Sequence, residues 1–179
     1  MYNDEMTNRT ALLPVDVRPL ARDNLLLLEQ YLPYGPPEKH ADRLARQERG
    51  EVIYLIAWRE DIPLGHALLN WRGATEDHLV ATFKGTCPDI EDLLVAEQYR
   101  SQGIGAQILL AAERLVKERG YSQIGLSVDV HNTRAYALYE RLGYHNIGLP
   151  PHHERGEYMD AQGHIAVWEE TCIYMVKSL

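Results

Sequence analysis

The chain has 179 residues, enough for one domain around one hydrophobic core and too few for two of ordinary size. With 45% hydrophobic and 25% charged residues it has the composition of a globular protein, which excludes a disordered or fibrous chain. The 18 Lys and Arg face 26 Asp and Glu, a net charge of -8 with no basic run, so a non-specific nucleic-acid binder is excluded as well.

In chain order, Leu12 to Leu20 reads as an opening strand, and Asp23 as the cap of a helix through Leu25, Leu26 and Leu28 towards Leu32. Pro33, Gly35, Pro36 and Pro37 stop that helix, and a second amphipathic helix runs from Glu38 to Arg49, with Gly50 after it. Val52 to Trp58 is apolar throughout and rich in β-branched and aromatic types, which predicts a strand covered on both faces; Pro63 to Trp71 returns as its neighbour. Residues 72–89 give no clear pattern, with Leu79 to Phe83 readable as a short strand. Asp89 to Ala96 predicts a strand, and Ile104 to Arg119 a helix whose Ile104, Ile108, Ala111 and Leu115 stripe lies beside Leu109, Ala112 and Val116. Ile124, Leu126, Val128 and Val130 then alternate as a strand with one more polar face. Asn132 caps a last helix carrying Ala135, Leu138, Tyr139 and Leu142 on one stripe. Tyr144 to Ile147 and Thr171 to Val176 complete the strands, joined by a long loop from Gly148 to Glu169. The alternation predicts a mixed α/β (α+β) sheet of six to seven strands with about four helices.

No apolar run approaches the roughly 20 residues needed to cross a bilayer. The start, MYNDEMTNRT, lacks the basic and apolar regions of a secretory signal, so a cytoplasmic protein without membrane attachment is expected. Cys87 and Cys172 show no C-x-x-C spacing and read as two unpaired, packing thiols.

The segment richest in chemistry is strand, turn and helix over Asp89 to Gly120, with R-S-Q-G-I-G at residues 100–105 on the turn. Glycines where a helix begins let backbone N–H groups converge on an anion, and the helix dipole adds partial positive charge, so a phosphate or pyrophosphate is the implied ligand. The spacing is neither a P-loop nor a complete dinucleotide fingerprint. Together with the strand ending V-D-V-H-N and the helix A-Y-A-L-Y-E-R-L-G-Y, this segment resembles the GNAT superfamily of acetyl-CoA-dependent N-acetyltransferases. Arg100, Gly103 and Gly105 fill the family's [RQ]-x-x-G-x-[GA] signature, and Asn132, Ala135, Tyr139, Gly143 and Tyr144 fill its second one. The match covers residues 89–147, about a third of the chain, within what is expected to be a single domain over residues 1–179.

The resemblance implies acetyl-CoA as co-substrate, with the main chain of Leu93, Leu94 and Val95 holding its pantetheine arm. The turn of Arg100, Ser101, Gln102, Gly103, Ile104, Gly105 and Ala106 holds the pyrophosphate, and Asn132 and Tyr139 contact the cofactor. It also implies catalytic roles for Glu91, as the base acting through a water, and for Tyr139, as the acid that returns a proton to the CoA thiolate. An amide of Leu94 or Val95 stabilises the charged carbonyl oxygen. An alkyl amine is only about 0.04% neutral at pH 7, so its deprotonation costs roughly 4.6 kcal/mol and calls for such a base. On simple alternation Glu91 shares a face with Leu93 and Val95, and Asp92, the less favoured carboxylate, points the other way.

His131, His145, His152, His153 and His164 crowd the C-terminal part. His152-His153-Glu154 is not H-E-x-x-H, and its proline-rich setting cannot form a helical metal face, so no metal is expected. The same loop, with Glu154, Glu157, Tyr158 and Asp160, reads either as solvated or as an acidic rim for a cationic amine. The function expected is direct transfer of acetyl to a primary amine of a small molecule in a ternary complex. The alternatives are a protein or peptide N-acetyltransferase and a non-catalytic acyl-CoA sensor. A homodimer is a possibility that the resemblance brings with it.

Overall fold

In the computed structural model, residues 14–33, 35, 38–159 and 164–179 are described. Their apolar runs assemble one mixed sheet of eight strands in the order β1-β2-β3-β4-β5-β8-β6, with β7 also paired to β8. The strands are β1 (Asp16–Pro19), β2 (Val52–Arg59), β3 (Ile62–Asn70), β4 (Asp89–Val95), β5 (Gln123–Asp129), β6 (His145–Asn146), β7 (His152–Met159) and β8 (Ile165–Ser178). The helices are α1 (Leu25–Tyr31), α2 (Lys39–Glu48), α3 (Asp77–Phe83), α4 (Ile104–Glu118) and α5 (Thr133–Arg141). Neighbouring strands are antiparallel except β4 and β5, which run parallel.

Both faces of the sheet are covered. On one, the α4 stripe Ile104, Ile108, Leu109, Ala112 and Val116 packs with Leu55, Ala57, Leu69, Ile90, Ile124 and Leu126, joined by Tyr139 and Tyr144. On the other, Leu28 of α1, Leu32 just after it and Leu44 of α2 cover Tyr54, Ile56, Trp58 and Leu68. Alternate residues of β2 therefore serve opposite cores, which is why its run is apolar without alternation. Each fully buried Leu or Ile contributes about 1.5–3 kcal/mol, so the two cores fix the sheet long before any polar contact matters.

Four expectations need correction. The helix start assigned to an Asp23 cap is instead a 3-10 turn, Arg22–Asn24, that runs into α1 without a side-chain cap. Leu79 to Phe83 belongs to α3, not to a strand; the backbone leaves that helix through Lys84 in the left-handed region. The connection from 148 to 169 is no loop, because β7 pairs with β8 from His152↔Cys172 to Met159↔Ile165 and raises the strand count to eight. The opening strand contracts to β1, and Leu12 and Leu13 lie outside the described residues. Cys87 and Cys172 are unpaired and buried, and burial pushes both thiols up to about 12. Among the described residues, no helix is long and apolar enough to cross a membrane.

Candidate functional site

Strand β4 carries the feature that opens the site. Leu68 of β3 faces Glu91 and His66 faces Leu94, so the single residue Ala67 stands opposite two, Asp92 and Leu93. This is a β-bulge, with Asp92 in the left-handed region at φ 52°. The bulge shifts the alternation by one residue. Leu93 and Val95 join the core under α4, whereas Glu91 turns towards α2 and lies 3.7 Å from the Arg46 guanidinium, so Glu91 does not share their face as simple alternation predicts.

A buried polar network fixes the bulge. The Arg43 side chain, 4% exposed, pairs with Asp92, donates to the Tyr54 hydroxyl at 3.3 Å and lies over that ring. The Tyr54 hydroxyl also bonds His40 Nδ1 at 2.7 Å. His66 sits in the same network with no exposure, and burial first, then Arg43, push it well below its usual value. Arg43 and Arg46, one turn apart on α2, thus address the consecutive carboxylates Asp92 and Glu91.

Pairing between β4 and β5 consists of Asp89↔Gly125 and Ile90↔Leu126 and does not continue past the bulge. Beyond it β4 faces a cavity of about 560 Å³. Leu93, Leu94, Val95, Arg100, Ser101, Gly103, Ile104, Gly105, Ala106 and Asn132, all named from the motifs, line it. Three of the expected site residues are outside that lining: Glu91, turned towards Arg46, and two of the cofactor contacts. The Gln102 side chain accepts from Arg59 at 3.2 Å, and Tyr139 is buried in the core one residue from Leu138, which does line the cavity.

Local chemistry explains the lining. Gly103 begins α4 at φ 79°, a left-handed conformation that costs glycine nothing and turns the following amides towards the cavity. Arg100 Nε donates to Val95 O at 3.1 Å and ties the turn to the end of β4. Asn132 caps α5 by accepting from the Ala135 amide at 3.1 Å. The motifs missed Tyr99, Arg134 and Arg141, which also line the cavity; Arg134 donates to Ser101 Oγ at 2.7 Å. The two arginines are present in the sequence as basic residues seven apart on α5, on the stripe of Leu138. With Arg100 they give an acidic protein a cavity walled by three cations, which suits a polyphosphate anion.

The candidate catalytic groups are tuned by burial. Burial raises Glu91 above the ordinary carboxylate range, against a 2.7 Å hydrogen bond from Asn70 Nδ2 and the charge of Arg46. Burial likewise lifts the Tyr139 hydroxyl up to about 12. Asp89, buried two residues before Glu91, is raised well above its usual value, by burial first and then by the charge of Glu91, and accepts from the Tyr174 hydroxyl at 2.8 Å. The acidic-rim residues separate: Glu157 and Tyr158 are exposed on β7, and Asp160 lies outside the described residues.

The acetyltransferase (GNAT) family model matches residues 21–144. The chain belongs to the GNAT family. The bovine thialysine N-epsilon-acetyltransferase is 37% identical over 67 residues, a stretch that covers 37% of this chain and 39% of that enzyme. The chain thus matches about two fifths of this curated relative. Among solved structures, the PaiA N-acetyltransferase of Thermoplasma acidophilum in complex with coenzyme A superposes with a TM-score of 0.64 at 16% identity, over 93% of this chain and 100% of the other. The ribosomal-protein-S18-alanine N-acetyltransferase of Escherichia coli gives 0.60 at 18%, over 92% and 94%. The GNAT fold therefore extends over nearly the whole chain.

The bulge in this GNAT sheet rests on Arg43 and Asp92. Asp92→Ala leaves the buried guanidinium without its carboxylate. We expect a loss of about 2–3 kcal/mol in urea unfolding, below the range for a fully buried pair because Asp92 is 34% exposed. Titration with coenzyme A should show weaker binding in the same variant, since the strand that faces the cavity loses its fixed bend.

Proposed function

We propose that the protein is an acetyl-CoA-dependent N-acetyltransferase acting on a primary amine of a small molecule, by direct attack in a ternary complex. The observation that carries this reading is the cavity between the bulged end of β4 and α5, lined by the α4 turn and by Arg100, Arg134 and Arg141. Acetyl-CoA supplies an activated acetyl thioester and a polyphosphate handle. The residues present fit it: the arginines and the amides after Gly103 suit the phosphates, and the cavity-facing edge of Leu93, Leu94 and Val95 suits the amide-bearing arm. The described chain is read as one such domain, since the C-terminal strand β8 is inserted between β5 and β6 in the same sheet. Two free thiols suit a cytoplasmic, reducing setting.

In this reading Glu91 accepts the amine proton, directly or through a water. Its raised basicity helps, and Arg46 and Asn70 keep the carboxylate oriented. Tyr139 faces a constraint. At about 12 its hydroxyl is a weaker acid than a thiol near 8.5, so complete transfer to a thiolate runs uphill by roughly 5 kcal/mol. Its role is therefore a hydrogen bond that stabilises the leaving sulfur, with full transfer only as far as the dry pocket raises the thiolate's basicity too.

The small-molecule acceptor draws support from the acidic charge balance and from the bovine relative, whose name specifies thialysine. The E. coli neighbour, named for a ribosomal protein's alanine, keeps a protein acceptor as the second reading. Release of CoA thiol from acetyl-CoA, followed across polyamines, aminoglycosides, amino acids and short peptides, distinguishes the two. A rise with one small-amine class is expected, and a rise with peptides alone transfers the function to a protein acceptor. Silence throughout, with acetyl-CoA bound, favours a sensor.

Tyr139→Phe should lower kcat at least about tenfold, or about 1.4 kcal/mol at the transition state, with coenzyme A affinity nearly unchanged. An unaltered kcat removes the tyrosine from the mechanism. For Glu91 the pH profile decides. Protonation disables the base, so the acidic limb of kcat/KM should fall at a pH above the ordinary carboxylate range, and Glu91→Gln should abolish that limb, leaving the amine's own titration.

A further inference from the structure

A second cluster lies outside the cavity. Glu76 and His78 stand two residues apart at the start of α3, and His152 and Glu154 stand two apart on β7, hence on one face of that strand. One ring nitrogen of His152 and one carboxylate oxygen each of Glu76 and Glu154 lie within 4.8 Å of one another. The His78 and His152 ring centroids are 5.5 Å apart with their planes inclined by 53°.

The hydrogen bonding assigns the free atoms. His152 is 7% exposed, and its Nε2 lies 3.0 Å from both Glu154 Oε1 and Ser127 Oγ. Because one nitrogen serves both partners, this is no Ser-His-Glu relay, in which the imidazole would use one nitrogen for each. A proton on Nε2 donates to the carboxylate and leaves a lone pair on Nδ1. Among the described residues, that buried Nδ1 has no hydrogen-bond partner, and neither has the buried Nε2 of His78. An orphaned buried polar atom costs about 1–3 kcal/mol, and here one nitrogen is orphaned on each of two neighbouring imidazoles, of which His152 lies beside two carboxylates.

We propose that His152, Glu76 and, once its ring turns towards them, His78 bind one divalent transition-metal ion of the zinc type, with Glu154 orienting His152 from the opposite ring nitrogen. Imidazole donors select against calcium and magnesium, which take oxygen ligands. Two imidazoles on one tetrahedral zinc, bound at about 2.1 Å, have centroids roughly 5 Å apart, close to the spacing of this ring pair. A carboxylate on the far nitrogen of a metal-bound histidine is the usual support for such a ligand. Three protein ligands leave a fourth position for water. The H-H-E segment, which cannot present a helical metal face, presents a strand face instead, and the partner pair E-D-H comes from a distant turn. Bound there, the ion ties the start of α3 to the base of the β7–β8 hairpin.

The test is zinc titration by calorimetry of protein stripped with a chelator, with cobalt(II) substitution read by its visible absorption. Neither needs acetyl-CoA or turnover, so failure here is distinct from failure of the acetyltransferase reading. One equivalent of zinc should bind, with cobalt bands of a four- or five-coordinate site, and His78→Ala and Glu76→Gln should each weaken binding at least about tenfold. His153→Ala, which alters an exposed neighbour, should leave it unchanged. His78 and Glu76 lie only partly buried, so these variants keep the test open if His152→Ala fails to fold. Absence of saturable binding in the micromolar range overturns the proposal, as does binding indifferent to both variants.

Discussion

The ion pair between Arg43 and Asp92 governs the geometry on which the rest depends. A guanidinium that is 4% exposed is tolerable only with a carboxylate and further polar partners, and Asp92 supplies the charge from a left-handed position that few residues other than glycine, Asn and Asp accept. The pair thereby holds two residues of β4 opposite one of β3. β4 stays in register with β3 on both sides of the bulge, yet its pairing with β5 stops at Ile90. A strand whose polar groups face a cavity rather than a neighbour is what an amide-bearing ligand requires, so the bulge converts a sheet interior into a binding edge.

Charge is sorted about that edge. The protein carries an acidic excess overall, yet the cavity holds Arg100, Arg134 and Arg141, while Asp89 and Glu91 of β4 face the fields of Glu76 and Glu154 or of Arg46. Groups of opposite sign thus stand at neighbouring points of one strand. In the partly dry interior such a separation is worth more than the same charges on the surface. Both carboxylates are raised: at Glu91 burial outweighs the Asn70 hydrogen bond and Arg46, and at Asp89 burial and the neighbouring carboxylates together outweigh the Tyr174 hydrogen bond.

Much of this was legible in the sequence where apolar periodicity and turn chemistry agree. The α4 stripe and the Asn132 cap are legible at once, the R-S-Q-G-I-G turn gains its meaning only beside the second motif, and ten of the residues named from the two motifs line the cavity. Three features had no such signal. The bulge is invisible to an alternation rule because its cause, Arg43, lies 49 positions away. Leu79 to Phe83 offers one buried residue, Leu79, too little to separate a helix turn from a strand. Arg134 and Arg141 carry the right spacing, but on a solvated helix the same spacing is ordinary, and only the neighbouring turn gives it meaning.

The β7–β8 hairpin shows most clearly where local pattern ends and tertiary chemistry begins. H-H-E-R-G-E-Y-M has no apolar alternation, and in β7 His152 is buried whereas His153, Arg155, Glu157 and Tyr158 are exposed. Two strands held by a ladder alone are marginal in water. The outer part gains from Trp168, whose ring lies against Gly156 with no room for a Cβ there. At the inner end, where His152 pairs with the buried Cys172, the His152 side chain is held by polar contacts, its Nε2 meeting Ser127 and Glu154. A polar anchor that leaves one ring nitrogen unpartnered is a weak one, and the histidine and glutamate that face it from α3 are the groups that would complete it. The element least legible in the sequence is thus the one whose attachment depends on residues brought together only by the fold.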